Sequence, residues 1–237
     1  VTVLTIAARE WASFFRTSAG WIVLALYLVL SGFWFAFATL VPGDPATLRA
    51  FFGVSQWILL IIAPAIAMRL LAEERRSGTF ESLMTAPVSD WAVIFGKYAG
   101  AVAFLVTLFL PTLIYVGLLE LVADPDYGPV LAGYLGLLLV GMLYIAAGTL
   151  FSALTESQVV ALLATIFFFV GIEIASTQGA RLLGPPWDRP LLSMSVLVRV
   201  GDLAKGVIDT GHIVWFLTST LWFLVLAVAA LESRRWR

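Results

Sequence analysis

Long apolar runs, each broken by a short polar stretch, set the pattern of this chain. Ala50–Met68, Tyr98–Leu119 and Ile213–Leu231 are each near the ~20 residues a helix needs to cross a hydrocarbon core. They lack the residue-by-residue alternation of a membrane strand, which argues against a barrel. Six spans are predicted: about Trp21–Val41, ended by the PGDP of Pro42–Pro45, then Ala50–Ala72, Trp91–Leu119, Val130–Leu154, Val159–Ser176 and Ile213–Leu231. Pro64 in the second span and Pro111 in the third remove helix donors, so kinks are expected there. The fold class is an all-α integral membrane protein, with 1–237 as one membrane domain.

Two flanking stretches keep a helical period while admitting charge. In Val1–Ser18 the apolar residues Leu4, Ala7, Ala8, Trp11, Phe14 and Phe15 are interrupted by Arg9, Glu10 and Arg16. That spacing predicts a helix over 1–20 lying at the membrane interface, with Gly20 turning the chain inward. Between the fifth and sixth spans, Thr177–Gly211 places Val196, Val200, Leu203, Val207 and Ile208 at helical spacing among Arg199, Asp202, Lys205 and Asp209. Short helices on the outer surface fit this pattern, either as a cap on the bundle or as a gate or docking surface.

The polar segment Glu73–Ser89, between the second and third spans, is more elaborate than a wet turn requires. Gly78 can end one helix and Thr79 can cap the next, with Glu81 in the first turn where the helix dipole favours an acid. The new helix runs through Thr85 and stops before Pro87, and Ser89 can cap the third span. Phe80, Leu83 and Met84 form one side, and Glu81, Ser82 and Thr85 the other. Periodicity alone leaves two readings open: a stiff two-turn helix that touches something, or a solvated connection.

Composition agrees with the spans and narrows the chemistry. The chain is 61% hydrophobic and 12% charged, against about 45–50% and 25% in soluble domains. Zero cysteines rule out disulfides and thiol catalysis, one histidine is too few for a histidine-rich metal site, and a net charge of −1 points away from nucleic acid. No metal-ligand set stands out. A membrane protease would need an intramembrane Ser–His pair, and the one histidine, His212, sits at a span edge. The first apolar run is too long for a signal-peptide core and is read as a retained span. Lys and Arg number nine on the side of Arg9, Arg16, Arg69, Arg75, Arg76, Lys97, Arg234, Arg235 and Arg237, and five on the other side. The positive-inside rule therefore puts both termini and Glu73–Ser89 in the cytoplasm.

Some intramembrane residues carry their own signals. Gly96 and Gly100 form a GxxxG, and Gly148 and Ser152 a second small pair, suited to close helix approach within the chain or at a dimer seam. Lys97 can snorkel to the inner edge. Glu173 is a functional acid if it lies within the fifth span, facing a pathway or an arginine, and simply wet if that span ends near Ile172. His212 reads as an ordinary interfacial residue.

The run Leu70–Lys97, LLAEERRSGTFESLMTAPVSDWAVIFGK, resembles the signature of ABC-2 type transporter permeases. Asp126–Ala161 and the closing KGVIDTGHIVWFL with its ESRRW tail are similar as well, in the order the family has them. The subgroup that includes the gliding-motility-associated permease looks nearest. The resemblance implies that Glu73, Glu74, Arg75, Gly78, Thr79, Glu81, Leu83 and Pro87 form a coupling helix that docks on an ATPase. It also implies that Arg9, Glu10 and Trp11 of the first helix, like the family's connector helix, can touch that ATPase. No G-x-x-x-x-G-K-[ST] occurs, since Gly96-Lys97 is followed by Tyr98, so ATP and Mg2+ are expected in a separate subunit. The implied assembly has two ATPase copies and two membrane subunits, alike or merely similar, in a bacterial cytoplasmic membrane. It exports a substrate or, alternatively, passes mechanical work to an external or periplasmic partner.

Overall fold

The computed structural model describes residues 2–39, 47–76, 89–122 and 125–235. Described residues are helical, with no strand among them. The helices are α1 (Thr2–Arg16), α2 (Ser18–Ala38), α3 (Arg49–Ala67), α4 (Arg69–Arg76), α5 (Asp90–Phe109), α6 (Leu113–Val122), α7 (Tyr127–Leu154), α8 (Gln158–Leu183), α9 (Asp188–Leu192), α10 (Val196–Ala204) and α11 (Thr210–Arg235). Six stretches are long and apolar enough to cross a membrane: Ser18–Ala38, Arg49–Glu73, Asp90–Val122, Tyr127–Leu154, Gln158–Leu183 and Thr210–Ser233.

Local chemistry accounts for where these helices start and stop. Ser89 caps α5 by accepting from the N–H of Ala92 at 3.3 Å. Asp126, Ser157 and Ser195 do the same for α7, α8 and α10. Each cap satisfies one donor that the first turn leaves without a partner. At Pro111 the third span tightens into a single 3-10 turn, Leu110–Thr112, so the expected irregularity is a change of helix type between α5 and α6. Pro64 is tolerated inside α3, which ends three residues later at Ala67. Gly184 ends α8 with φ of 60°, a left-handed backbone that suits glycine.

The bundle is built around α7. Its face toward α3, α5 and α10 is glycine-rich, and each glycine admits a bulky neighbour. A Cβ on Gly133 would lie 2.2 Å from the Phe52 ring, one on Gly141 2.5 Å from Leu105, and one on Gly148 2.6 Å from Ala67. Lipid gives helices no hydrophobic reason to associate, so close van der Waals packing of this kind holds a membrane bundle together. By contrast, α2 and α8 are the least buried spans, at 17% and 22% of their apolar windows. Both pack against α3.

One difference from the sequence reading concerns a boundary. The fifth span does not end near Ile172 or Ser176, because α8 continues to Leu183. The hydroxyls that suggested an end, Ser176 and Thr177, both donate back to the Glu173 carbonyl, at 3.0 and 2.7 Å, and leave the helix intact. The first helix packs on the bundle. It runs lengthwise along α5 in the same direction, from Val3 and Ile6 beside Gly96 to Phe14 stacked on Phe104 at 4.4 Å.

Candidate functional site

Of the predicted docking residues, Glu73, Glu74 and Arg75 fall on α4, whereas Gly78, Thr79, Glu81, Leu83 and Pro87 lie outside the described residues. The described part of the site is the way α4 is fastened. At Met68 the chain breaks from α3 into α4, which strips partners from backbone groups in the interior. Ser152, fully buried on α7, supplies them. Its hydroxyl accepts from the N–H groups of Leu71 at 3.1 Å and Ala72 at 2.9 Å, and donates to the Met68 carbonyl at 2.9 Å. One side chain from a neighbouring span thus caps α4 and bridges the break.

Arg69 ties the same corner to the first two helices. Its guanidinium donates to the hydroxyls of Thr17 at 3.1 Å and Ser13 at 3.2 Å. It also lies 4.6 Å from the centre of the Phe14 ring and faces Glu73 at 3.8 Å. Glu73 is largely exposed, so this ion pair adds little stability. The hydrogen bonds and the ring contact define the corner. They join α4 to the α1–α2 junction, where Gly20 fits only because a Cβ there would lie 2.0 Å from the Phe14 carbonyl oxygen.

Of the other predicted contacts, Glu10 is turned inward while Arg9 and Trp11 stay exposed. Glu10 meets Lys97 at 3.2 Å, with Lys97 nearly fully buried, so Lys97 does not snorkel; it is held in an ion pair between α1 and α5. Trp11 donates its indole N–H to Thr107 at 3.1 Å. Arg9 is exposed. The GxxxG of Gly96 and Gly100 is filled from within the chain, since a Cβ at Gly100 would lie 2.7 Å from the Ala7 carbonyl oxygen and 2.6 Å from Glu10 Cβ.

At the opposite end, Glu173 is neither wet nor paired with an arginine among the described residues. Its carboxylate accepts from the Ser195 hydroxyl at 2.6 Å and from the Leu197 N–H at 3.4 Å. It therefore sits on the N-terminus of α10, where the backbone dipole favours an anion. His212 is also more than an edge residue. It lies 2.9 Å from Arg199 and 3.6 Å from Asp202. Arg199 donates to the Ser193 carbonyl and lies 4.5 Å from the centre of the Trp215 ring. Burial lowers its pKa from the ordinary arginine value, and Asp209 opposes that shift. These contacts make α9 and α10 a fastened cover over one end of α8 and α11.

Sequence reasoning passed over several polar groups inside the bundle. Tyr27 and Ser55 face each other across α2 and α3, yet neither hydroxyl is in hydrogen-bonding geometry. Gln56 Oε1 is likewise buried without a partner among the described residues.

Comparison with known proteins agrees with this architecture. No curated protein matches the chain. A family model described as ABC-2 family transporter protein matches residues 44–179, a stretch that runs from α3 through most of α8 and includes the α4 corner. That match covers more than half of the chain, and with its six apolar spans the chain belongs to the ABC-2 transporter family, as a multi-pass membrane permease domain.

Proposed function

We propose that this chain is the permease subunit of an ATP-driven ABC-2 transporter and that residues 73–89 receive force from a separate ABC ATPase. The observation that carries the reading is the α4 corner. Any displacement of the segment between α4 and Ser89 pulls on Ser152 of α7, on Ser13 and Thr17 through Arg69, and on the capped start of α5. A rigid connection to several spans at once is what a two-state membrane machine needs in order to pass a local motion on as a change of access.

The rest of the assembly follows from the same reading. Two ATPase copies supply ATP and Mg2+ chemistry, and a second membrane subunit, identical or similar, pairs with this one. The exposed faces of α2 and α8, flanking α3, are the surfaces available for that pairing, and substrate moves along the seam so formed. The excess of Lys and Arg on the α4 side of the chain supports reading that side as the cytoplasmic face of a bacterial inner membrane. Kinship to the subgroup that includes the gliding-motility-associated permease belongs to the same reading and draws on the resemblance along the chain as a whole.

The test is assembly and turnover. Glu81→Lys and Leu83→Asp should abolish co-purification of the ATPase or its stimulation by the membrane subunit. Unchanged assembly and turnover in both variants would remove residues 73–89 as the docking element.

A further inference from the structure

A cavity of about 690 Å³ lies between α8 and α11, beneath the α9–α10 cover. Its volume falls within the ~300–1,000 Å³ of small-molecule sites. The two spans meet at an aromatic floor, where Phe223 touches Phe168 at 5.7 Å and Phe169 at 6.2 Å. Beyond it they separate. Ile172 and Ala175 form one wall, Trp215 and Trp222 the other. Phe168, Met194 and Trp222 are exposed while lining the cavity, so it opens sideways onto the surface of the bundle.

The lining chooses a hydrocarbon. Ser176 and Thr218 are among the few polar residues present, and their hydroxyls donate to carbonyls of their own helices, at 3.0 and 2.7 Å. A hydrophilic solute would lose its hydration here without replacement. The edge of the cavity has a different character. Trp215 carries the Arg199 guanidinium over its ring, and Arg199 also binds the Ser193 carbonyl, next to Met194 of the lining. Arg199 makes no ion pair among the described residues, and its Nε is buried without a hydrogen-bond partner. The nearby anions are held elsewhere: Glu173 by Ser195 and the Leu197 N–H, Asp202 by Lys205 and His212, and Asp209, which also acts on Arg199, by the Gly211 N–H.

We propose that this cavity binds an anionic phospholipid, with an acyl chain between α8 and α11 and the headgroup phosphate on Arg199. A bound chain would wedge apart the two spans that carry the cover, so occupancy would set the position of α9 and α10. The proposal needs only the membrane character of the chain and stands whether or not residues 73–89 dock an ATPase.

The experiment is native mass spectrometry of the full chain, delipidated in detergent and titrated with dioleoyl phosphatidylglycerol or dioleoyl phosphatidylcholine. The wild type should retain phosphatidylglycerol about tenfold more tightly than phosphatidylcholine, whose phosphate already has its own trimethylammonium as a counter-charge and so gains less from the guanidinium. Arg199→Gln should erase that preference and leave weaker, equal binding of both lipids. Ala175→Phe on one wall and Ser219→Phe on the other should each displace the lipid, with size-exclusion profiles reporting that the variants are folded. Two fillings from opposite walls keep the test sound if one variant fails to fold. Equal binding of the two lipids by the wild type, or unchanged occupancy in a folded cavity-filling variant, would overturn the assignment. Failure of the Glu81 and Leu83 variants to uncouple an ATPase would leave it untouched.

Discussion

Lys97 and Glu10 place two opposite charges between α1 and α5, where both side chains are largely shut off from solvent. Such a pair contributes little net stability, because removing both charges from water offsets most of their attraction. Breaking it from one side is different, since the remaining charge stays buried. Lys97→Met alone, which leaves Glu10 without its cation, should destabilise the chain by about 3–5 kcal/mol, while adding Glu10→Leu should recover most of that loss. Thermal unfolding in detergent of the wild type and both variants measures this, and equal losses in the single and double variants would refute the buried-pair account. Ser152 acts on the backbone instead. Ser152→Ala leaves the Leu71 and Ala72 N–H groups and the Met68 carbonyl without their hydroxyl partner, at a cost of about 1–3 kcal/mol for each group left dry. Hydrogen exchange should show faster exchange localised to α4, with α5 and α11 unchanged; uniform acceleration would mean the serine supports the bundle generally.

Between elements, the small pairs Gly96/Gly100 and Gly148/Ser152 are occupied by the chain's own helices. Gly100 lets the α1 backbone lie against α5, so Gly100→Val must push the two helices apart. A loss of about 1–3 kcal/mol is expected, as for overpacking elsewhere, with no change in oligomeric state by light scattering. Gly201→Ala, with open space around its position, should be neutral or slightly stabilising. Dissociation of a dimer by Gly100→Val, with the monomer still stable, would instead make the GxxxG a seam between copies. The spans were legible in the sequence because each is an apolar run that suffices on its own to cross a membrane. Ser89 was legible as a cap because its partner lies three residues away. Glu10 and Lys97 are 87 residues apart, and Ser152 and Ala72 80 apart. Neither pairing leaves a periodic trace, so Lys97 read as a snorkelling lysine and Ser152 as a spacer. Glu173 was ambiguous for a related reason. Its partners lie on α10, and the polar run after it that looked like a helix end hydrogen-bonds back into α8.

The two ends of the whole molecule carry different machinery. One end holds the α4 corner with Arg69; the other holds the α9–α10 cover with Glu173, Asp202, Asp209 and His212. If α4 faces the cytoplasm, the cover faces outward, because three spans, Asp90–Val122, Tyr127–Leu154 and Gln158–Leu183, cross in alternation between them. A sequence without cysteine is a ready background for placing single thiols. Glu73 and Lys205 are both exposed, at 58% and 54%, and mark the two ends. In intact cells a membrane-impermeant maleimide should label Lys205→Cys at once and Glu73→Cys only after permeabilisation. Labelling of Glu73→Cys from outside would invert the molecule and take the α4 corner away from any cytoplasmic ATPase. The same background reads the pairing of copies. Phe33 lies exposed on α2, the span with the least burial, against Trp34 and Phe37 of its own helix. If α2 lines the seam between two copies, Phe33→Cys should form a disulfide-linked dimer on mild oxidation, whereas Lys205→Cys should not. Cross-linking at Lys205 alone would move the seam to the cover and leave α2 facing lipid.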